Sequence, residues 1–170
     1  MRMSRPTATA TGGTHHAQDC PWRRTVLPFA VVGFLAILVG GLIAATIAHE
    51  PSRNLVWLVA YLVLIFGLAQ IFFGIGQAWL KPKASGRLLV WSEFALLNIG
   101  NLGIIYGVLA DNIAVVAVAT VLFLAALGLF ALTVHRQPRT RFWQGYHVIL
   151  ALVAVSALIG LGLAAFGQII

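Results

Sequence analysis

From residue 25 onward the chain alternates five long apolar runs with four short polar links. The runs cover about 25–48, 55–80, 88–109, 113–134 and 142–170. Each holds roughly 20 residues or more, enough at about 1.5 Å per residue to cross a bilayer core ~30 Å thick. None shows the strict apolar–polar alternation of a barrel strand. Backbone N–H and C=O groups in lipid must bond within their own segment, so the runs are predicted to be helices. The predicted fold is all-α, a transmembrane five-helix bundle.

The links punctuate the pattern. His49-Glu50-Pro51-Ser52-Arg53-Asn54 carries a proline stop and a candidate cap at Asn54. Lys81 to Arg87 and His135 to Arg141 are basic turns, and Ala110-Asp111-Asn112 is a tight hairpin. Links this short predict that sequential helices are antiparallel neighbours. Residues 1–24 are polar and rich in Thr, Ala and Gly, with too few apolar side chains to pack, and read as a disordered tail. Residues 25–170 read as one membrane domain.

Charge supplies an orientation. Of 11 Lys and Arg, ten fall in the tail and the two basic links, which share one side if there are five crossings; Arg53 stands alone on the other. The positive-inside rule then places the N-terminus in the cytoplasm and the C-terminus outside. Trp22, Trp79, Trp91 and Trp143 fall near the predicted inner boundary and Trp57 near the outer one, an interfacial aromatic belt. The first run is read as an uncleaved signal-anchor, although Thr46-Ile47-Ala48 has the small residues of a cleavage site.

Composition agrees. The chain is 61% hydrophobic and 9% charged, with mean hydropathy +0.97. A soluble domain carries about 25% charged residues. The net charge of +7 forms no continuous patch with interleaved aromatics, so no nucleic-acid partner is expected. The lipid bilayer is the expected partner, with a second copy or another membrane protein on any unfilled helix face. One cysteine, Cys20, makes neither an internal disulfide nor a metal pair, and His15, His16, Asp19 and Cys20 lack diagnostic metal spacing.

Glycines recur with a period. Gly33 and Gly40, Gly67 and Gly74, Gly100 and Gly107, and Gly160 and Gly167 are each seven apart, nearly two helical turns, so each pair lies on one face. With Gly103 they are read as packing seams, because helices in lipid associate through close contact at small residues. The fourth run has only Gly128 and is expected to be the most peripheral. Tyr61, Leu64, Gly67, Ile71, Phe73 and Gly74 can be laid over Phe94, Leu97, Gly100, Ile104, Tyr106 and Gly107 as a weak inverted repeat.

Polar residues inside the runs are the candidate functional groups. Gln70 and Gln77 share a face of the second run; Asn98 and Asn101 share a face of the third, opposite Gly100, Gly103 and Gly107 with Glu93. That makes the third run central, with two faces turned from lipid. The four amides are expected to form one network between helices two and three. Glu93 and His147 lie at similar depth and are candidates for a pair. A lone intramembrane His gives no bis-His haem site, and no HExxH, GxSxG, Walker or Rossmann motif is present, so neither catalytic residues nor a cofactor or metal is assigned.

The runs YLVLIFGLAQIFFGIGQAWL (61–80), NIGNLGIIYG (98–107) and WQGYHVILALVAVSALIGLGLA (143–164) resemble small uncharacterised five-span bacterial integral membrane proteins of the actinobacterial kind. The resemblance implies a bacterial cytoplasmic membrane and transfers no activity to any position. The leading expectation is a non-enzymatic structural, accessory or assembly subunit held by Gly/Ala seams. The alternatives are an oligomeric small-solute channel or transporter using a polar path between helices two and three, and a haem- or quinone-binding electron-transfer subunit.

Overall fold

A computed structural model describes residues 21–80, 86–135 and 140–167, all of the regular structure being helical. The segment 1–20 with His15, His16, Asp19 and Cys20, the basic links 81–85 and 136–139, residues 168–170, the side chains of Pro21, Trp22, Arg23, Arg24 and Arg87, and the surroundings of Gly167 lie outside the described residues. The first span is α1 (Pro21–Thr46). The second is α2 (Arg53–Tyr61), a π-helical segment (Leu62–Ala69) and α3 (Gln70–Leu80). The remaining three are α4 (Arg87–Leu109), α5 (Ile113–His135) and α6 (Arg141–Gly167). All five spans are long and apolar enough to cross a membrane.

The helix starts follow local chemistry. Proline suits the first turn of a helix, where its missing N–H would have no partner, and α1 begins at Pro21 inside the segment read as tail. The cap of α2 is Ser52, whose Oγ accepts from Leu55 N at 3.3 Å, and not Asn54. At the hairpin, Asp111 takes φ 51°, a left-handed conformation that short polar side chains tolerate. Asn112 Oδ1 then accepts from Val115 N at 3.2 Å and caps α5.

Glycine decides which helices touch. A Cβ at Gly33 would lie 2.8 Å from Gly67 O, and one at Gly74 would lie 2.7 Å from Phe29 Cβ, so α1 and the second span cross backbone to backbone. Gly100, Gly103 and Gly107 do the same against Phe123, Ala119 and Val116 of α5. The bundle is thus two tight pairs, α1 with the second span and α4 with α5. The second span meets α4 through long side chains and not through a shared glycine seam. The expectation for the fourth run is overturned: 39% of the most apolar stretch of α5 is buried, against 11% for α6, the most peripheral span. Alanines made α5 look unspecialised, but Ala119 is what Gly103 of α4 packs against, and Ala126 is fully buried.

The π segment sets the register of the second span. Helices turn 100° per residue, so Tyr61 and Gln70, nine residues apart, would face about 180° from each other on a continuous α-helix. The wider i→i+5 turns rotate by roughly 15° less per residue, and eight of them recover on the order of 120°. Tyr61 therefore comes round to the face that carries Gln70 and Gln77. This also breaks the proposed overlay of the second and third runs, since α4 is α-helical throughout.

A deletion tests this directly. Removing the lipid-facing Leu64 should let the segment rewind as α-helix, because eight α steps between Tyr61 and Gln70 rotate by about 80°, close to the native offset. The variant is expected to fold, with a melting temperature within a few degrees of the parent. Removing Leu102, exposed to the same degree on α4, rotates one half of that helix by about 100° against the other and should abolish the folded monomer on detergent gel filtration.

Candidate functional site

The buried face of α4 is one continuous arc, which corrects the reading of two opposed faces. On a helical projection Gly107, Gly100, Glu93, Leu97, Asn101 and Asn98 follow one another over about 180°. Glu93 lies between the glycine seam and the asparagines, so it reaches both neighbouring elements, α3 and α5. Its side chain is 0% exposed.

Three rungs cross from the second span to α4. Nearest the Arg53 end, Tyr61 Oη donates to Asn101 Oδ1 at 2.8 Å. Next, Gln70 Nε2 donates to Asn98 Oδ1 at 3.3 Å, while Asn98 Nδ2 donates to Phe94 O at 2.7 Å. Furthest in, Gln77 Nε2 donates to Glu93 Oε2 at 2.7 Å. Thr133 of α5 completes this rung through Oγ1, 3.0 Å from Glu93 Oε1. The same hydroxyl lies 2.8 Å from Leu129 O, so its single proton is shared and Gln77 is the firmer donor. From Glu93 to Asn101 the ladder spans about 12 Å along α4.

The four amides therefore do not form one network. Gln70 meets Asn98 as expected, but Gln77 is taken by Glu93 and Asn101 by Tyr61. Glu93 and His147 do not bond either. His147 Nδ1 lies 3.0 Å from Trp143 O, its Nε2 is buried without a hydrogen-bond partner, and its ring sits on that of Trp143 with centroids 3.9 Å apart. Trp143 Nε1 donates to Val134 O at 3.1 Å, which fixes this stack against α5.

Tyr146 brings α6 to the inner rung. Its ring presses on the bare backbone of Gly76, where any Cβ would overlap it, beside Gln77 and within Coulombic range of Glu93. The Tyr146 hydroxyl is buried and has no hydrogen-bond partner, as are Gln70 Oε1, Gln77 Oε1 and Asn101 Nδ2. Each such group costs about 1–3 kcal/mol when left unmade, so these four and His147 Nε2 are hydrogen-bonding groups that the protein itself leaves unused. No group of three or more His, Cys, Asp or Glu that would hold a metal occurs among the described residues.

Seven of the nine glycines singled out in the sequence make the two backbone crossings. Gly160 meets nothing within 4 Å, and the surroundings of Gly167 are outside the described side chains. Sequence reasoning missed Tyr61 and Thr133. Both are amphipathic residues that an apolar run absorbs without a visible break, and only their recurrence opposite Asn101 and Glu93 marks them. Comparison with known proteins leaves the site to speak for itself: no family model, no curated protein and no solved structure matches the chain.

Proposed function

We propose that the chain is a small multi-pass transport subunit of a bacterial cytoplasmic membrane, N-terminus inside, that passes a proton or small monovalent cation along the seam between helices two and three. Glu93 is the binding carboxylate. The observation that carries this reading is a fully buried Glu93 held by Gln77 at 2.7 Å and Thr133 at 3.0 Å. Charge inside a membrane domain is expensive, so such groups sit where an ion or solute is handled. Hard cations take oxygen ligands, and Gln77 Oε1 and Gln70 Oε1 are acceptors that no protein donor uses. The five long apolar spans support the membrane, and the sidedness of Lys and Arg supports the orientation.

Proteoliposomes containing the full chain test it, with an entrapped pH dye and, in a separate arm, a sodium-sensitive dye. An imposed membrane potential should drive dye response in one arm, and Glu93→Gln should slow it by about tenfold or more. Equal rates for Glu93→Gln and the parent in both arms would remove the reading. A second reading, an accessory or assembly subunit, is favoured by the exposure of α6, whose most apolar stretch is 11% buried; it predicts co-purification with a stoichiometric membrane partner.

A further inference from the structure

Helix α6 leaves the bundle halfway along its length. Tyr146, Leu150 and Val153 are buried, and no described residue beyond Val153 is. A wedge of about 520 Å³ opens there between α6 and the face made by α2, α4 and α5. Its walls are mostly apolar: Ile65 and Phe123 toward the bundle, Val108 and Val116 along the sides, Ala157 and Gly160 on α6. The volume falls in the range of sites that enclose a small ligand.

The wedge has one polar end. Arg53 lines both the wedge and an adjoining vestibule of about 810 Å³ that also has Asn54, Asp111 and Asn112 in its wall. Below Arg53, Trp57 and Tyr61 stack with centroids 5.1 Å apart and form the wall where the lining changes from polar to apolar. Aromatic rings of this kind sit at headgroup depth. A guanidinium binds phosphate through paired N–H donors. A cationic mouth, an aromatic collar and an apolar channel in that order match a phospholipid from phosphate to chain.

We infer that this wedge is a phospholipid site, with one acyl chain lying between α6 and α5 and the phosphate at Arg53. The small residues Ser156, Ala157 and Gly160 keep the wedge wide; larger ones fill it. This inference does not rest on the transport reading: Tyr61, the donor of the outer rung, lines the wedge, but Gln70, Gln77 and Glu93 do not.

Native mass spectrometry of the full chain in mild detergent, titrated with dioleoyl phosphatidylglycerol, tests it. The parent should retain one phospholipid per chain. Gly160→Leu and Ser156→Leu should each weaken retention by about tenfold, and Arg53→Ala should weaken it by several-fold. Gly160→Leu leaves the fold intact, since a Cβ there meets nothing within 4 Å; unchanged thermal melts by circular dichroism verify this for both fillings. Three results overturn the inference: a parent that retains no lipid, filling variants that bind as the parent does, or a Gly160→Cys chain (Cys20→Ser background) that cross-links quantitatively as a dimer. The last would assign the wedge to a second copy.

Discussion

A leucine at Gly100 is expected to destabilise the bundle by about 3 kcal/mol or more, whereas a leucine at Gly160 should change stability by less than about 0.5 kcal/mol. Both glycines belong to seven-residue pairs in the sequence, and their surroundings could hardly differ more. A Cβ at Gly100 would lie 2.8 Å from Phe123 N and 3.0 Å from its Cα. Those are backbone atoms of a neighbouring helix and cannot swing aside, so α4 and α5 would have to separate along their whole contact. Gly103 and Gly107 continue that contact, and both would lose close packing together. At Gly160 the added side chain enters the wedge. Reversible unfolding in mixed micelles measures both variants; comparable losses at the two sites would show that α6 packs more tightly than its geometry indicates. The same variants separate stability from ligand retention, since only the second is expected to respond to Gly160→Leu.

The legible part of this protein is the part that one-dimensional hydropathy determines. Five spans, their approximate ends and an all-helical fold follow from run length and the rule that backbone groups bond internally in lipid. The glycine period was legible as a face, but not as a pairing. Which helix fills a seam depends on the opposite surface, and the alanines of α5 look unremarkable until Ala119 is set against Gly103. The site was half legible. Gln70, Gln77, Asn98, Asn101 and Glu93 are conspicuous in an apolar chain, yet their partners were not, for a reason with a physical address. Partner choice depends on rotation about the axis of the second span, and the π segment at Leu62–Ala69 changes that rotation by on the order of 120°. Nothing in the composition LVLIFGLA announces i→i+5 bonding. A continuous α-helix turns Tyr61 away from the seam and leaves Asn101 looking toward Gln70 and Gln77; the π segment substitutes Tyr61.

The bond from Gln77 to Glu93 should be the most strongly coupled polar contact in the molecule, and a double-mutant cycle should return a coupling of about 1–2 kcal/mol. Gln77→Leu removes the firm donor from a 0% exposed carboxylate whose Thr133 hydroxyl is shared, so this single change should cost about 2 kcal/mol. Glu93→Leu removes the carboxylate and leaves the neutral Gln77 amide Nε2 without its acceptor, a smaller loss. In the double variant two leucines face each other across α3 and α4, and neither the Glu93 carboxylate nor the Gln77 amide remains to be satisfied. Replacing both partners of a buried polar contact by apolar groups is often nearly neutral. The double variant should therefore be more stable than Gln77→Leu and carry no cation flux. That combination separates the two roles of the inner rung. If the contact were only a clamp between helices, stability and flux would fall and recover together. If Glu93 handles an ion, stability recovers in the double variant and flux does not. Additive losses across the cycle would instead mean that Gln77 and Glu93 act independently, and that the carboxylate is held mainly by its other partners.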